Sequence, residues 1–194
     1  MRKLILVAHI SLDGFVAGSN GELDGFEADD ENLAFVCKLT EEADAALFGR
    51  ISYELLNNDW PTAKYRPNAS KAVIAYSTWY NNAEKIVLSK TMIKKDLNRT
   101  TVINNNIVDE ITRIRKLPGK DILIFGSPSI SQLLMQHDLI NDYWIFINPV
   151  IFCCGIPLFA SSNHKAKLRL LEKKQFSNGE IALHYEQKNS DDVN

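Results

Sequence analysis

The sequence predicts an α/β fold, a three-layer α/β/α arrangement with a mixed, mainly parallel central sheet and antiparallel strands at its C-terminal edge. Three observations carry that expectation. Up to about Leu134, short apolar runs alternate with segments of helical period, the order that builds parallel strands joined by crossover helices. One run, Ile122 to Phe125, is apolar throughout, as a strand covered on both faces must be. The last part of the chain changes character, and two of its strand-like segments are joined by the tight-turn sequence Ser177-Asn178-Gly179.

Taken in order, Lys3 to Ile10 is rich in Leu, Ile and Val and closes on Ser11-Leu12-Asp13-Gly14, a buried strand running into a turn. Phe15 to Glu27 holds Gly18, Gly21 and Gly25, lacks a period and reads as a mobile loop. A helix is expected from Asp29 or Asp30, where an acidic cap precedes Leu33, Val36 and Leu39. Ala45 to Phe48 reads as a strand, Arg50 to Asn58 as a helix and Trp60 to Pro67 as a Pro-containing loop. Lys71 to Tyr76, Lys85 to Ser89 and Thr101 to Asn104 are expected as further strands. The clearest helix starts at an Asn106 cap and runs through Ile107, Ile111 and Ile114. Asp109 and Glu110 stand near its start, Arg115 and Lys116 near its end, and Pro118-Gly119 stops it. Ser127-Pro128 supplies a cap and first-turn proline for a helix through Ile130, Leu133 and Leu134. Tyr143 to Phe152, Lys167 to Phe176 and Glu180 to Gln187 close the fold as strands. Residues 1–188 are expected as one domain and 189–194 as a frayed polar tail.

Composition narrows the function. The 194 residues carry a net charge of -2 and a pI of about 6.1, so there is no broad basic field for a phosphate backbone and nucleic acid is not an expected partner. Cys153 and Cys154 are adjacent, and with a single further cysteine they give neither a disulfide framework nor a zinc or redox spacing. They read as buried thiols of a reducing compartment, and no metal is expected. The opening MRKLILVAHISLDG has no cleavage pattern behind it, and no apolar stretch approaches the ~20 residues that cross a bilayer. The expectation is a cytoplasmic protein with no membrane partner.

Two strand-to-helix transitions carry chemistry, because a helix N-terminus offers unpaired N–H groups and a positive dipole end to an anion. At Phe48-Gly49-Arg50-Ile51-Ser52, Gly49 allows close backbone approach, Arg50 brings a fork of donors and Ser52 a hydroxyl. The plainer reading is a glycine turn with a solvated arginine. At Ile124-Phe125-Gly126-Ser127-Pro128 a glycine and a hydroxyl follow a buried strand, which is also ordinary helix-start chemistry. Neither GxGxxG nor GxxxxGK[ST] occurs, so a standard dinucleotide or Walker loop is not supported.

Four segments, SLDGFVAG from Ser11, LFGRISYE from Leu47, KAVIAYST from Lys71 and DILIFGSPSISQLL through NPVIFCCGIPLF from Asp121, stand in a telling order. Together they resemble the dihydrofolate reductase-like superfamily that includes the riboflavin-biosynthesis reductase domain. The resemblance implies an NADPH site and hydride transfer to a small pterin-like or pyrimidine-like ring. It implies Gly49, Arg50 and Ser52 at the phosphates, with Ser52 where the family usually has Thr. Ser77 and Thr78, at the end of the strand expected from Lys71, match the pair beside the 2′-phosphate, and Gly126 and Ser127 match a turn that is usually Gly-Gly. Ala8 and Ile10 would lie near the nicotinamide.

On the substrate side the resemblance offers Asp13, at the start of the loop over the nicotinamide, and Asp30, near the ring-binding carboxylate of dihydrofolate reductases. Both also read simply, Asp13 as a turn residue and Asp30 as a helix cap. Trp60 would wall the ring pocket or else anchor its loop, and Cys153 stands where relatives commonly have Gly. The riboflavin-pathway alternative, reduction of 5-amino-6-(5-phosphoribosylamino)uracil, asks for a second phosphate site, for which Lys64 and Arg66 are the candidates. A non-catalytic nucleotide-binding protein is the alternative of another class. The apolar strand Tyr143 to Phe152 and the closing strands resemble the part used for pairing in the riboflavin-pathway relatives, which implies a homodimer.

Overall fold

The computed structural model describes residues 1–27, 29–93, 97–159 and 165–188; the tail expected at 189–194 lies outside them. The α/β expectation holds. Strands β1 (Leu4–Ser11), β3 (Ala43–Gly49), β4 (Glu84–Leu88), β5 (Thr100–Ile103), β6 (Asp121–Ile124), β7 (Asp142–Asn148), β9 (Leu168–Gln175) and β10 (Ile181–Gln187) form one eight-stranded sheet in the order β5-β4-β3-β6-β1-β7-β10-β9. It is parallel from β5 to β7, and β10 and β9 are added antiparallel.

Helices cover both faces. On one lie α1 (Asp30–Glu41), α2 (Arg50–Ala63) and α3 (Lys71–Asn82), where Phe35, Tyr53, Tyr76 and Tyr80 meet Val7, Phe48, Leu123 and Phe146 of the sheet. On the other lie α4 (Ile107–Arg115) and α5 (Pro128–Gln136), where Ile111, Ile114 and Leu134 meet Leu4, Leu6, Leu47 and Ile122. Successive strand residues point to opposite faces, so each central strand feeds both cores.

Two expectations fail, each for a physical reason. Lys71 to Tyr76 is not a strand but the first half of α3, capped by the Ser70 hydroxyl, which accepts from the Val73 N–H. Ala72, Tyr76 and Tyr80 recur every fourth residue and bury one helical face, a period that a short apolar run conceals. α2 likewise continues through Trp60 and Pro61 to Ala63, in place of the loop expected from Trp60.

Nor is Phe15 to Glu27 a free loop. Within it β2 (Phe15–Ala17) pairs with β8 (Ile156–Pro157), and the Phe26 and Phe152 rings lie 5.2 Å apart. Cys153 and Cys154, expected buried, are exposed on the segment that receives this loop. Cys153 has φ 62, in the left-handed region that favours glycine.

The β9–β10 hairpin is tied to α1 through Glu31, which accepts from the Ser177 backbone N–H and from Lys174 Nζ, both at 3.0 Å. The Ser177 bond first, and the Lys174 bond next, hold the carboxyl at about 2 against an ordinary 4.5. A depressed folded-state value adds stability that is present above the ordinary value and is lost as pH falls through the interval toward 2. Glu31→Gln is therefore expected to flatten the acid limb of stability below pH 4.5, followed by denaturant melts along a pH series. An unchanged limb would sink the assignment.

Candidate functional site

β3 and β6 are neighbours, yet the chain leaves them in opposite directions. After β3 it passes through α2 and α3 to β4 on one side, and after β6 through α5, across β1, to β7 on the other. Such a switch point opens a crevice at the carboxyl ends of the strands, where open α/β sheets bind ligands.

The two helices that start there differ from the others. α1 is capped by Asp29, which accepts from the Glu31 N–H, α3 by Ser70, and α4 carries Asp109 and Glu110 in its first turn. α2 and α5 have neither a side-chain cap nor an acidic residue in the first turn. Apart from the Ile130 N–H, which donates to the Ser127 carbonyl at 3.1 Å, their starts are met by no side-chain cap and no first-turn carboxylate, a condition that favours an anion.

The two turns are built against each other. The Gly49 N–H donates to the Gly126 carbonyl at 2.9 Å, and a Cβ at Gly49 would stand 2.5 Å from Ser127 Oγ. Gly126 has φ +90, and a Cβ there would be 3.0 Å from Ser52 Oγ. Gly126 needs glycine for its positive φ, and a side chain at Gly49 would have to push the Ser127 side chain aside. Beneath them the Phe48 and Phe125 rings stack 6.0 Å apart. Gly49, Arg50, Ser52, Gly126 and Ser127, expected from separate segments, come together here. Arg50 is partly exposed and donates to Glu54 at 2.8 Å, a surface pair worth under about 1 kcal/mol and easily exchanged for a stronger anion.

Other expected residues fall elsewhere. Ser77 and Thr78 are not at a strand end. Ser77 is fully buried in α3, its hydroxyl donating to the Trp60 carbonyl, and Thr78 donates to the Ile74 carbonyl one turn back. The strand end beside Gly49 belongs to β4, whose Leu88 is in register with Gly49. It continues as Ser89-Lys90-Thr91, with Lys90 exposed and Ser89 Oγ accepting from the Thr91 and Met92 N–H groups. The signal for it was available in sequence, a polar triplet ending the apolar run from Lys85. The misread strand at Lys71 drew the assignment away.

Trp60 packs on Tyr76 at 4.4 Å between α2 and α3, near the far end of α2, as an anchor of the core. Arg66 pairs with Asp59, and Lys64 lies over the Tyr65 ring. Ile10 is closed into the α5-side core, and Ala8 packs on that core half-buried.

The two acids are also engaged. The Ser11 hydroxyl at 2.6 Å is the main cause that holds the Asp13 carboxyl below the usual range, joined by the Phe152 and Cys153 N–H groups at 3.1 and 2.8 Å. Asp13 thus ties the β1–β2 turn to the segment after β7. Asp30 is exposed and accepts from Ser70 Oγ at 2.7 Å, joining the start of α1 to the cap of α3, while Asp29 caps α1 itself.

The model of the RibD C-terminal domain family matches residues 2–182. The chain belongs to the RibD C-terminal domain family. Among its relatives, the Bacillus subtilis protein YyaP is 31% identical over 186 residues, 95% of this chain and 94% of that protein. YwjB of the same organism is 27% identical, over 95% of this chain and 97% of its own. The fold is shared with a putative riboflavin biosynthesis protein from Shewanella sp. PV-4, at TM-score 0.73 and 20% identity over 97% of this chain and 100% of that one. A pyrimidine reductase-like protein from Corynebacterium diphtheriae follows at 0.68 and 17%, over 97% and 93% of the two chains. A deaminase/5-amino-6-(5-phosphoribosylamino)uracil reductase from Thermotoga maritima gives 0.66 and 15%, over 96% of this RibD C-terminal domain chain and 57% of that protein. Among the described residues no helix is long and apolar enough to cross a membrane, and no group of His, Cys, Asp and Glu is placed to hold a metal ion.

Proposed function

We propose that the chain is an NADPH-dependent reductase acting on a small pterin-like or pyrimidine-like ring. The observation that carries this reading is the pair of uncapped helix starts, α2 and α5, facing one crevice across two glycine turns. A dinucleotide's phosphates are the anion that such a site fits, and family membership supplies the reaction type. When bound, NADPH supplies the hydride.

This chain's own residues bind and orient. The N–H groups of Arg50 and Ile51 in α2 and of Ser129 in α5, where Pro128 has none to give, donate to the pyrophosphate, while Ser52 and Ser127 offer hydroxyls to it. Arg50 exchanges Glu54 for phosphate, and Lys90 with Ser89 and Thr91 forms the polar rim one strand further out. The carboxyl end of β1, from Ala8 to Ile10, runs beside the reacting end and offers it backbone, the Ile10 side chain being closed into the core. Asp13 fixes the loop above it, and Asp30 anchors the helix beside it.

The reading is tested by NADPH oxidation with a panel of pterins, quinazolines and pyrimidines, phosphoribosylated and plain. Turnover of a plain ring supports it. Binding without turnover of any ring would leave the non-catalytic alternative. The phosphoribosyl alternative draws no support from Lys64 and Arg66, which are engaged at the far end of α2.

We also propose that the protein is a cytoplasmic homodimer built on the β9 edge. β9 is the last strand of the sheet, every residue but Lys174 is exposed, and Leu168, Leu170 and Leu171 present apolar surface to water. An open edge with three exposed leucines can pair, and Arg169, Glu172 and Lys173 on the same strand set the charge pattern that a partner edge would have to match. Light scattering at micromolar concentration is expected to give twice the chain mass, and Leu170→Lys with Leu171→Lys to give the monomer. A wild-type monomer would end the proposal.

A further inference from the structure

On the α1 face of the sheet, near the carboxyl end of β1, three polar side chains meet inside an apolar layer. His9 stacks on Phe146, its cross-strand partner on β7, at 4.6 Å and 16°. Its Nδ1 lies 2.8 Å from Glu180 Oε1, and Asn32 Nδ2 donates to Glu180 Oε2 at 2.6 Å. Glu180 is 1% exposed and Asn32 7%, whereas the His9 side chain is 38% exposed. With Glu180 accepting, Nδ1 is the donor, and Nε2 is the ring atom left to act outward. A carboxylate buried so deeply is costly to keep, and the geometry here is the one that fixes an imidazole's tautomer and plane for proton transfer.

The location fits a reacting site. β1 lies next to β6, and His9 follows by three residues Leu6, which is in register with Ile124 at the end of the strand that leads to the Gly126 turn. A cavity of about 230 Å³ opens at the same end of the sheet, lined by Gly25, Glu27, Asn148, Pro149, Val150 and Asn178. Asn178 Oδ1 accepts from the Glu180 N–H at 3.0 Å, so the cavity wall and the buried pair share one turn.

We infer that His9 is the proton donor of the site, with Glu180 and Asn32 as positioning residues; this rests on the reductase reading above. Hydride addition to the carbon of a ring C=N leaves the bond's electron pair on nitrogen. The imidazolium gives that nitrogen the proton from Nε2, the Nε2–H bond breaking as the ring N–H forms. The neutral imidazole keeps its Nδ1 proton toward Glu180, and solvent restores the one at Nε2. Asp13 and Asp30 are occupied by the contacts already described and are not needed.

The same contacts would pin the hairpin to α1 even if no proton moved, so the test must separate the roles. Glu180, from the turn before β10, is the charged group on the ring; β7 offers Phe146 alone. On α1, Asp29 is bound by the Glu31 N–H, Asp30 by Ser70, and Glu31 by Lys174 and Ser177. His9→Gln is expected to lower kcat by ~100-fold or more, as loss of a general acid does, and to abolish the fall of kcat with rising pH. NADPH affinity should stay within about twofold, which also reports folding, since a twofold change is a small fraction of the tenfold per ~1.4 kcal/mol scale. Glu180→Gln should lower kcat roughly 10- to 100-fold by freeing the tautomer. Independently of turnover, 15N NMR should show the neutral His9 ring protonated at Nδ1 in the wild type and mixed in Glu180→Gln. If the wild type reduces no ring, the reductase reading fails and takes the proposal with it. If a ring is reduced but His9→Gln keeps the wild-type kcat and pH profile, or the wild-type ring is protonated at Nε2, the proposal alone is overturned.

Discussion

Gly49→Val should weaken NADPH binding by more than a hundredfold. A Cβ at that position would stand 2.5 Å from Ser127 Oγ, 3.1 Å from Ser127 Cβ and 3.3 Å from its backbone nitrogen. The Ser127 hydroxyl must turn aside and the turn before α5 must give by a few tenths of an ångström, with the valine methyls adding to the displacement. Phosphate can then no longer meet both helix starts, and losing two charge-assisted bonds at about 1.5–3 kcal/mol each amounts to two or more powers of ten. The same overpacking costs roughly 1–3 kcal/mol of stability. Isothermal titration measures the first and a denaturant melt the second. Wild-type affinity in a folded Gly49→Val protein would remove the two turns from the site.

Phe48→Ala carries the largest expected loss of stability, about 3–5 kcal/mol, since it empties a fully buried position at the centre of the α1–α3 face. Phe48 touches Tyr53, Tyr80 and Phe125, so it braces α2, α3 and the end of β6 together. The loss should appear as a lower denaturant midpoint with an unchanged slope. A cost under about 1 kcal/mol would mean that the surrounding rings close the cavity, and the brace is not needed.

Much of this architecture was legible along the chain because its signals are local. α4 shows its apolar period, acidic start and basic end within a dozen residues, and the Ser127-Pro128 start of α5 follows an apolar strand with no gap. The Gly49 and Gly126 turns were legible separately. That they face each other was not, because the sheet order that places β6 beside β3 is a tertiary fact. Lys71 to Tyr76 misled because β-branched and aromatic residues in a short run fit either period, and only the spacing of Ala72, Tyr76 and Tyr80 with the Ser70 cap distinguishes the helix.

Ser77 and Thr78 therefore lie within a helix, and the strand end beside Gly49 is followed by Ser89, Lys90 and Thr91. The His9–Glu180 contact spans 171 positions and joins a residue of the first strand to the last turn. Nothing in either neighbourhood announces it. Asp13 and Asp30 drew attention through local turn and cap patterns, and local bonding is what the structure gives them.

The most direct test of the nucleotide site is a parallel titration of the wild type and Arg50→Ala with NADPH and NADH. The wild type should prefer NADPH by about tenfold or more, the worth of a charge-assisted contact to the 2′-phosphate, and Arg50→Ala should lose most of that preference. Binding of neither nucleotide by the wild type would contradict the assignment of the crevice between β3 and β6. Equal affinity for the two would contradict the role given to Arg50.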